Sequence, residues 1–158
     1  MRPDEMLARR LAAEIETELG YLRRLGQERR EAPTSTDTFS LRSRASILHD
    51  FYTGAERVFV RIAEELNGGV PRGEQWHRQL LRDMALELPE VRPPVVTADL
   101  AAALGEYLRF RHLFRNVYGF ALDAERMRLL EERFDGVLGQ LIAQVQSFGA
   151  WMLGHDSA

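Results

Sequence analysis

The sequence contains neither cysteine nor lysine in its 158 residues. Without cysteine, a disulfide framework, thiolate chemistry and zinc sites built on cysteine are excluded. Because all 21 basic side chains are therefore arginine, every permanent cation carries forked donors that bind carboxylate or phosphate in pairs.

Long apolar runs are absent as well. No segment approaches the roughly 20 residues that a membrane span needs, and the charged start, Met1-Arg2-Pro3-Asp4-Glu5, lacks the apolar segment of a signal peptide. We therefore expect a cytoplasmic protein that makes no use of a membrane. The net charge of −3 argues against a general nucleic-acid coat.

Two further kinds of site are missing from the sequence. Asn67-Gly68-Gly69 has neither the lysine nor the strand–helix context of a phosphate-binding loop. The four histidines form no His-x-x-x-His pair. We predict no metal ion and no cofactor.

Apolar residues instead recur at helical spacing along most of the chain, and the only extended candidate, residues 91–96, is too rich in proline for a strand. The spacing predicts a helix over about 3–30, a second from a cap at Thr38 or Ser40 to the end at Asn67-Gly68-Gly69, two more over about 74–88 and 97–118, and a last one after Asp123. The clearest seam alternates steps of four and three residues: Leu41, Ala45, Leu48, Tyr52, Ala55, Phe59, Ile62 and Leu66.

These helices predict an all-α, up-and-down bundle of four or five helices. We divide the chain into an N-terminal helix and linker (1–37), the helical bundle (38–153) and a frayed tail (154–158). The first helix could dock on the bundle or on a second copy of it.

The segment from Tyr107 to Tyr118 carries the strongest candidate site. On a helical wheel Arg115 lies about 40° from Arg111, and both fall inside the apolar stripe. A buried arginine is costly unless it is paired or used. Either the two arginines bind phosphate, or they pair with carboxylates such as Asp50 or Glu56 and fix the register of the bundle.

Two neighbours add chemistry to these arginines. His112 and Asn116 lie about 100° and 140° from Arg111, on one side of the stripe. Histidine can act as an acid or base near neutral pH, and arginine stabilises developing negative charge. This set suits metal-free cleavage of an RNA phosphodiester, in which a base deprotonates the 2′-hydroxyl.

A second pair of candidates is Trp76-His77, in the third predicted helix. His77 could point into the same cleft, or it could be a structural histidine beside a core tryptophan. His49 and Asp50 on the second helix could orient Arg111 or Arg115, or His49 could simply pack beside Phe51 and Tyr52.

The segment Arg111-His112-Leu113-Phe114-Arg115-Asn116-Val117-Tyr118 resembles the motif of the HepT-like branch of the HEPN superfamily, which includes toxin–antitoxin ribonucleases. That motif commonly reads Arg-Asn-x-x-x-His-x-Tyr. Arg111 and Tyr118 match it in place, whereas His112 and Asn116 stand in exchanged positions. The segment around Trp76-His77 also looks like one found in HepT-like relatives, and the helix lengths over residues 40–148 agree.

The resemblance implies a homodimer in which two motif helices face each other across a basic cleft. It implies metal-independent endoribonuclease activity, with Arg111, His112 and Asn116 as catalytic residues and Arg111 and Arg115 binding RNA phosphate. It also implies a nucleotidyltransferase-type antitoxin that could modify Tyr118, which could otherwise stack on a base.

The exchanged residues support a second hypothesis. Because asparagine cannot act as a general base, the chain could be a catalytically inactive, HEPN-like dimeric adaptor. Such a protein would bind a nucleotide, RNA or a nucleotidyltransferase partner.

Overall fold

A computed structural model describes residues 3–155, and within them the chain forms five α-helices and no strand. The elements are α1 (Glu5–Glu31), α2 (Thr38–Leu66), α3 (Trp76–Met84), α4 (Ala98–Arg115), a 3₁₀ turn (Gly119–Ala121) and α5 (Ala124–Met152). Residues 1–2 and, from the predicted tail, residues 156–158 lie outside the described part of the chain.

Each long helix begins after a side chain that accepts a hydrogen bond from its first turn. Thr97 and Asp123 cap α4 and α5 as predicted. For α2 the prediction was wrong. Asp37 is the cap, its Oδ1 accepting from the backbone N–H of Ser40 at 3.0 Å, and Thr38 is already helical.

The third helix is shorter than the predicted 74–88. Carbonyl oxygens at its end accept hydrogen bonds from buried Arg92 instead of from the backbone N–H groups of a further helical turn. The Arg92 guanidinium donates to the carbonyls of Asp83 (2.8 Å) and Leu86 (2.9 Å). The backbone N–H of Val95 occupies the carbonyl of Met84 at 2.8 Å. The chain therefore folds back against the end of α3 before it enters α4.

The fourth helix also ends early, at Arg115 rather than near residue 118. The side-chain Nδ2 of Asn116 donates to the carbonyl of His112 at 2.7 Å, and its backbone N–H donates to that of Leu113 at 3.0 Å. These bonds occupy the open carbonyls of the last turn. Asn116 and Tyr118 consequently lie outside the helix that carries Arg111.

The four long helices pack as an up-and-down bundle. As residue numbers rise along α1 they fall along α2: Glu14 pairs with Arg61, and Leu22 lies against Gly54. The pairs α2 and α4, α4 and α5, and α5 and α1 are likewise antiparallel, whereas α2 and α5 run parallel. Short α3 packs against α2 and α4. The predicted all-α bundle is confirmed.

The core runs through all of these helices, including α1. Phe51, Tyr107 and Phe134 meet at its centre, with the rings of Phe51 and Phe134 5.0 Å apart and edge-on. From α1, five buried apolar residues reach the same core: Ala8, Leu11, Ile15, Leu19 and Leu22. The first helix thus docks on its own bundle, against α2 and α5. No helix within residues 3–155 has both the length and the apolar character needed to cross a membrane.

Candidate functional site

Arg111 lies inside the bundle, where α4 faces α2, and is 2% exposed. Its Nη2 is 3.1 and 3.0 Å from the two carboxylate oxygens of Glu56, and its Nη1 donates to Oγ1 of Thr53 at 3.3 Å. The guanidinium carbon also lies 4.9 Å from the ring centroid of Tyr52. Arg111 therefore forms the predicted ion pair with Glu56 rather than an open phosphate site.

Burial controls the ionisation of Tyr52 beneath this pair. Loss of solvent raises the pKa of its phenol; the negative charge of Glu56 raises it further and Arg111 lowers it. The phenol therefore stays neutral at physiological pH and serves as a packing surface for the guanidinium.

The same carboxylate binds His77, which arrives from α3. The Nδ1 of His77 is 2.7 Å from Oε2 of Glu56 and 3.1 Å from Nη2 of Arg111. Arginine and a protonated Nδ1 are both donors, so Glu56 is the only acceptor among the three groups. The Trp76 ring lies on the imidazole, 3.7 Å between centroids with 32° between planes. The secondary candidates Trp76 and His77 are therefore joined to Arg111 through Glu56.

A groove between α3 and α4 connects His77 to the predicted motif. It has a volume of 490 Å³, and both His77 and His112 line it. The remaining lining residues are mostly polar: Glu74, Gln75, Arg78, Leu81, Arg82, Gly105, Leu108 and Arg109. The lining contains two histidines and three arginines but one glutamate. Arg109 also pairs with Glu106 at 3.3 Å, yet the cations still exceed the acids, so the groove suits an anionic ligand.

Arg115 lies on a different part of the α2–α4 contact and is exposed. Its Nε donates to Nε2 of His49 at 3.1 Å, and Nδ1 of His49 is 3.1 Å from Oδ1 of Asp50. His49 and Asp50 thus orient Arg115. Within residues 3–155 its two terminal nitrogens make no hydrogen bond, so they can reach a ligand.

Tyr118 is 74% exposed and stacks on Phe120, with the ring centroids 5.2 Å apart and 7° between planes. Arg42 of α2 packs directly against the intervening Gly119. A larger residue would not fit there, because an added Cβ would lie 1.6 Å from Nε of Arg42. Arg42 therefore covers the 3₁₀ turn that presents the two rings.

The predicted residues do not form one cluster. Arg111 is buried with Glu56 and His77, His112 faces the groove, Arg115 pairs with His49, and Asn116 closes α4. Sequence reasoning missed the groove arginines Arg78 and Arg82, although their spacing of four residues places them on one face of α3. Within residues 3–155 no group of three or more histidine or acidic side chains could hold a metal ion.

A family model described as HepT-like protein matches residues 43–152, more than half of the chain. The chain belongs to the HepT-like family. This places it in the HEPN superfamily and, at the level of the family, among proteins of HEPN toxin and ribonuclease type. The HepT-like match spans most of α2 and all of α3, α4 and α5, so it contains both walls of the groove. No curated protein and no solved structure matches the chain.

Proposed function

We propose that this HepT-like protein is a metal-independent endoribonuclease whose cleavage site is the groove between α3 and α4. The observation that carries the proposal is that His112 lines this groove together with Arg78, Arg82 and Arg109. An imidazole beside several guanidinium groups can transfer a proton while the negative charge on a phosphodiester grows.

The two motif arginines then have different tasks. Exposed Arg115 has free terminal nitrogens and binds a phosphate of the RNA outside the groove. The terminal nitrogens of Arg111 donate to Glu56 and Thr53, so Arg111 acts on the site by holding Glu56 and, through it, His77. Asn116 positions the end of α4, where it closes the last turn beneath His112.

Membership of the HepT-like family supports the choice of partners. We propose a homodimer and an antitoxin of the nucleotidyltransferase type that docks on the exposed Tyr118 and modifies its hydroxyl. The 74% exposure of Tyr118 supports access by such a partner. The parallel stack with Phe120 supports the other role proposed for this residue, which is packing against an RNA base.

A second candidate function is a catalytically inactive adaptor that binds RNA, a nucleotide or the partner protein. The observation that favours it is Asn116, which stands where the family places histidine and whose side chain is turned back to the carbonyl of His112. The groove and its arginines would then bind an anionic ligand without cleaving it.

The decisive experiment incubates the purified protein with single-stranded RNA in EDTA. We expect cleavage that leaves 2′,3′-cyclic phosphate ends, and a rate about 10²-fold or more lower for His112→Ala, since that variant lacks an acid–base group. His155→Ala is the matched control, because His155 is exposed and does not line the groove.

Three outcomes separate the hypotheses. Cleavage that depends on His112 supports the ribonuclease. RNA binding without cleavage by the wild type would favour the adaptor. Equal cleavage by the wild type and His112→Ala would remove His112 from the mechanism.

A further inference from the structure

We propose that His77 is a second catalytic residue of this site, and that its Nε2 is the base that deprotonates the 2′-hydroxyl. The inference rests on the proposed ribonuclease function and adds a residue that lies on α3, outside the motif segment. It is carried by the geometry of His77, Glu56 and the groove.

Glu56 fixes the protonation pattern of His77. Its Oε2 is 2.7 Å from Nδ1 of the imidazole, and a carboxylate accepts hydrogen bonds only. The proton of neutral His77 is therefore on Nδ1, which leaves a lone pair on Nε2. A carboxylate that holds a histidine in this tautomer is the arrangement by which hydrolases prepare an imidazole base.

The orientation of the ring places that lone pair in the groove. Glu56 is 8% exposed and binds the inner edge of the imidazole, whereas 32% of the His77 side chain is exposed and lines the groove. Because Nδ1 points inward to Glu56, the Nε2 edge points outward. Trp76 packs on one ring face and restricts its rotation.

Arg111 makes this arrangement rigid. It binds both oxygens of Glu56, so the carboxylate cannot turn away from His77. An ion pair that served only to join α2 and α4 would be complete with Glu56, Arg111 and Thr53. The pair also holds an imidazole that is one-third exposed at the wall of the basic groove, where a ligand can reach it.

His112 from α4 supplies the complementary group in the same groove. The Nε2 of His77 takes the proton of the 2′-hydroxyl while the 2′-oxygen forms a bond to phosphorus. The bond from phosphorus to the 5′-oxygen breaks, and His112 in its imidazolium form donates a proton to that oxygen. The products are a 2′,3′-cyclic phosphate and a 5′-hydroxyl. His77 has gained one proton and His112 has lost one.

The test compares two substrates that differ only in the leaving atom. One is an ordinary RNA, and the other carries sulfur in place of the bridging 5′-oxygen at a single bond. A thiolate leaves without a proton, so loss of the acid is tolerated on the sulfur substrate and loss of the base is not. His77→Gln is the main variant, because its amide can still donate to Glu56 while it cannot accept a proton.

We expect His77→Gln to cleave ordinary RNA about 10²-fold or more slowly, the size typical of a lost acid–base group, and to remain equally impaired on the sulfur substrate. His112→Ala should be impaired on ordinary RNA and largely recover on sulfur. His155→Ala should cleave both substrates at the wild-type rate. Unchanged thermal unfolding of His77→Gln would show that its fold is intact.

Added imidazole provides a second measurement. It should partly restore His77→Ala, which lacks the ring, and such rescue would not occur if His77 were only structural.

If wild type cleaves and His77→Gln cleaves at a similar rate, the assignment of His77 is overturned although the ribonuclease stands. If His77→Gln recovers on sulfur, His77 is the acid and its role as base is overturned. If wild type cleaves neither substrate, the proposed function fails and this inference fails with it.

Discussion

At the scale of single residues, the buried charges of Arg111 and Glu56 have the largest consequence for stability. Arg111→Met leaves the Glu56 carboxylate buried without its cation, and we expect the free energy of unfolding to fall by about 3–5 kcal/mol. Replacing both residues, as Glu56→Leu with Arg111→Met, should recover at least half of that loss, since neither charge then remains buried. Urea denaturation of the single and double variants measures both effects.

Arg109→Met is the control for this prediction. Arg109 also pairs with a glutamate, Glu106 at 3.3 Å, but both side chains are largely exposed, and such surface pairs contribute about 0–1 kcal/mol. If Arg111→Met changed stability no more than Arg109→Met, Arg111 would not be the buried anchor that its contacts indicate.

Arg111 and His77 differ in how well the sequence predicts their positions in the site. The wheel placed Arg111 in the apolar stripe of its helix, and it is buried there. Glu56 was one of two candidate partners, because a helical pattern gives the face of a residue and not its depth along the neighbouring helix. His77 could not be placed, since the rotation of short α3 is set by contacts with α2 and α4.

At the scale of elements, the long seams were predictable and the helix ends were not. The seam of α2 from Leu41 to Ile62 is buried throughout, because heptad spacing follows from helix geometry alone. The ends of α3 and α4 depend instead on side chains that turn back onto open carbonyls. Arg92 donates to such a carbonyl from a loop, and Asn116 donates to one from the cap position. Neither contact is predicted by a local sequence pattern.

The start of α2 gives a prediction for pH. Hydrogen bonds from the Ser35 hydroxyl first, and then from the N–H and hydroxyl of Ser40, lower the pKa of Asp37 from 3.8 to about 2. A carboxyl whose pKa is lower in the folded state adds stability above pH 3.8 and loses it as the pH falls through 2. The melting temperature of wild type should therefore exceed that of Asp37→Ala at pH 7, and the difference should shrink between pH 4 and pH 2.

Asp37→Asn separates the charge from the cap. Asparagine still accepts the bond from Ser40 but does not titrate. Its advantage over Asp37→Ala should be constant from pH 4 to pH 2 in circular-dichroism melts. If wild type and Asp37→Asn followed the same pH curve, ionisation of Asp37 would play no part in the stability of the cap.

At the scale of the whole molecule, α1 and the family-matched region share one core. The match begins at residue 43, yet buried residues of α1 contact α2 and α5 at close range. Gly54 and Gly26 permit this approach: a Cβ at Gly54 would lie 2.7 Å from Leu22, and one at Gly26 would lie 2.8 Å from Leu138. A family pattern alone could not assign α1 to this chain's bundle rather than to a second copy, since both would bury the same apolar stripe.

The proposed homodimer is the prediction that belongs to this scale. Tyr118 and Phe120 are 74% and 72% exposed beside the end of the motif helix, and Arg42 packs against Gly119 between them. Phe39, 80% exposed, is one helical turn from Arg42 on α2. Large apolar side chains at such exposure commonly mark a contact surface.

We expect sedimentation equilibrium to give the mass of two chains, and the double variant Tyr118→Ser and Phe120→Ser to shift the protein toward the monomer without lowering its melting temperature. Met6→Ser is the matched control, because Met6 is 78% exposed in the first turns of α1. Since α1 and α2 are antiparallel, Met6 lies at the end of the bundle opposite Arg42. A wild-type protein that remained monomeric at every concentration would contradict the homodimer. A dimer weakened equally by Met6→Ser would place its interface elsewhere than at the motif helix.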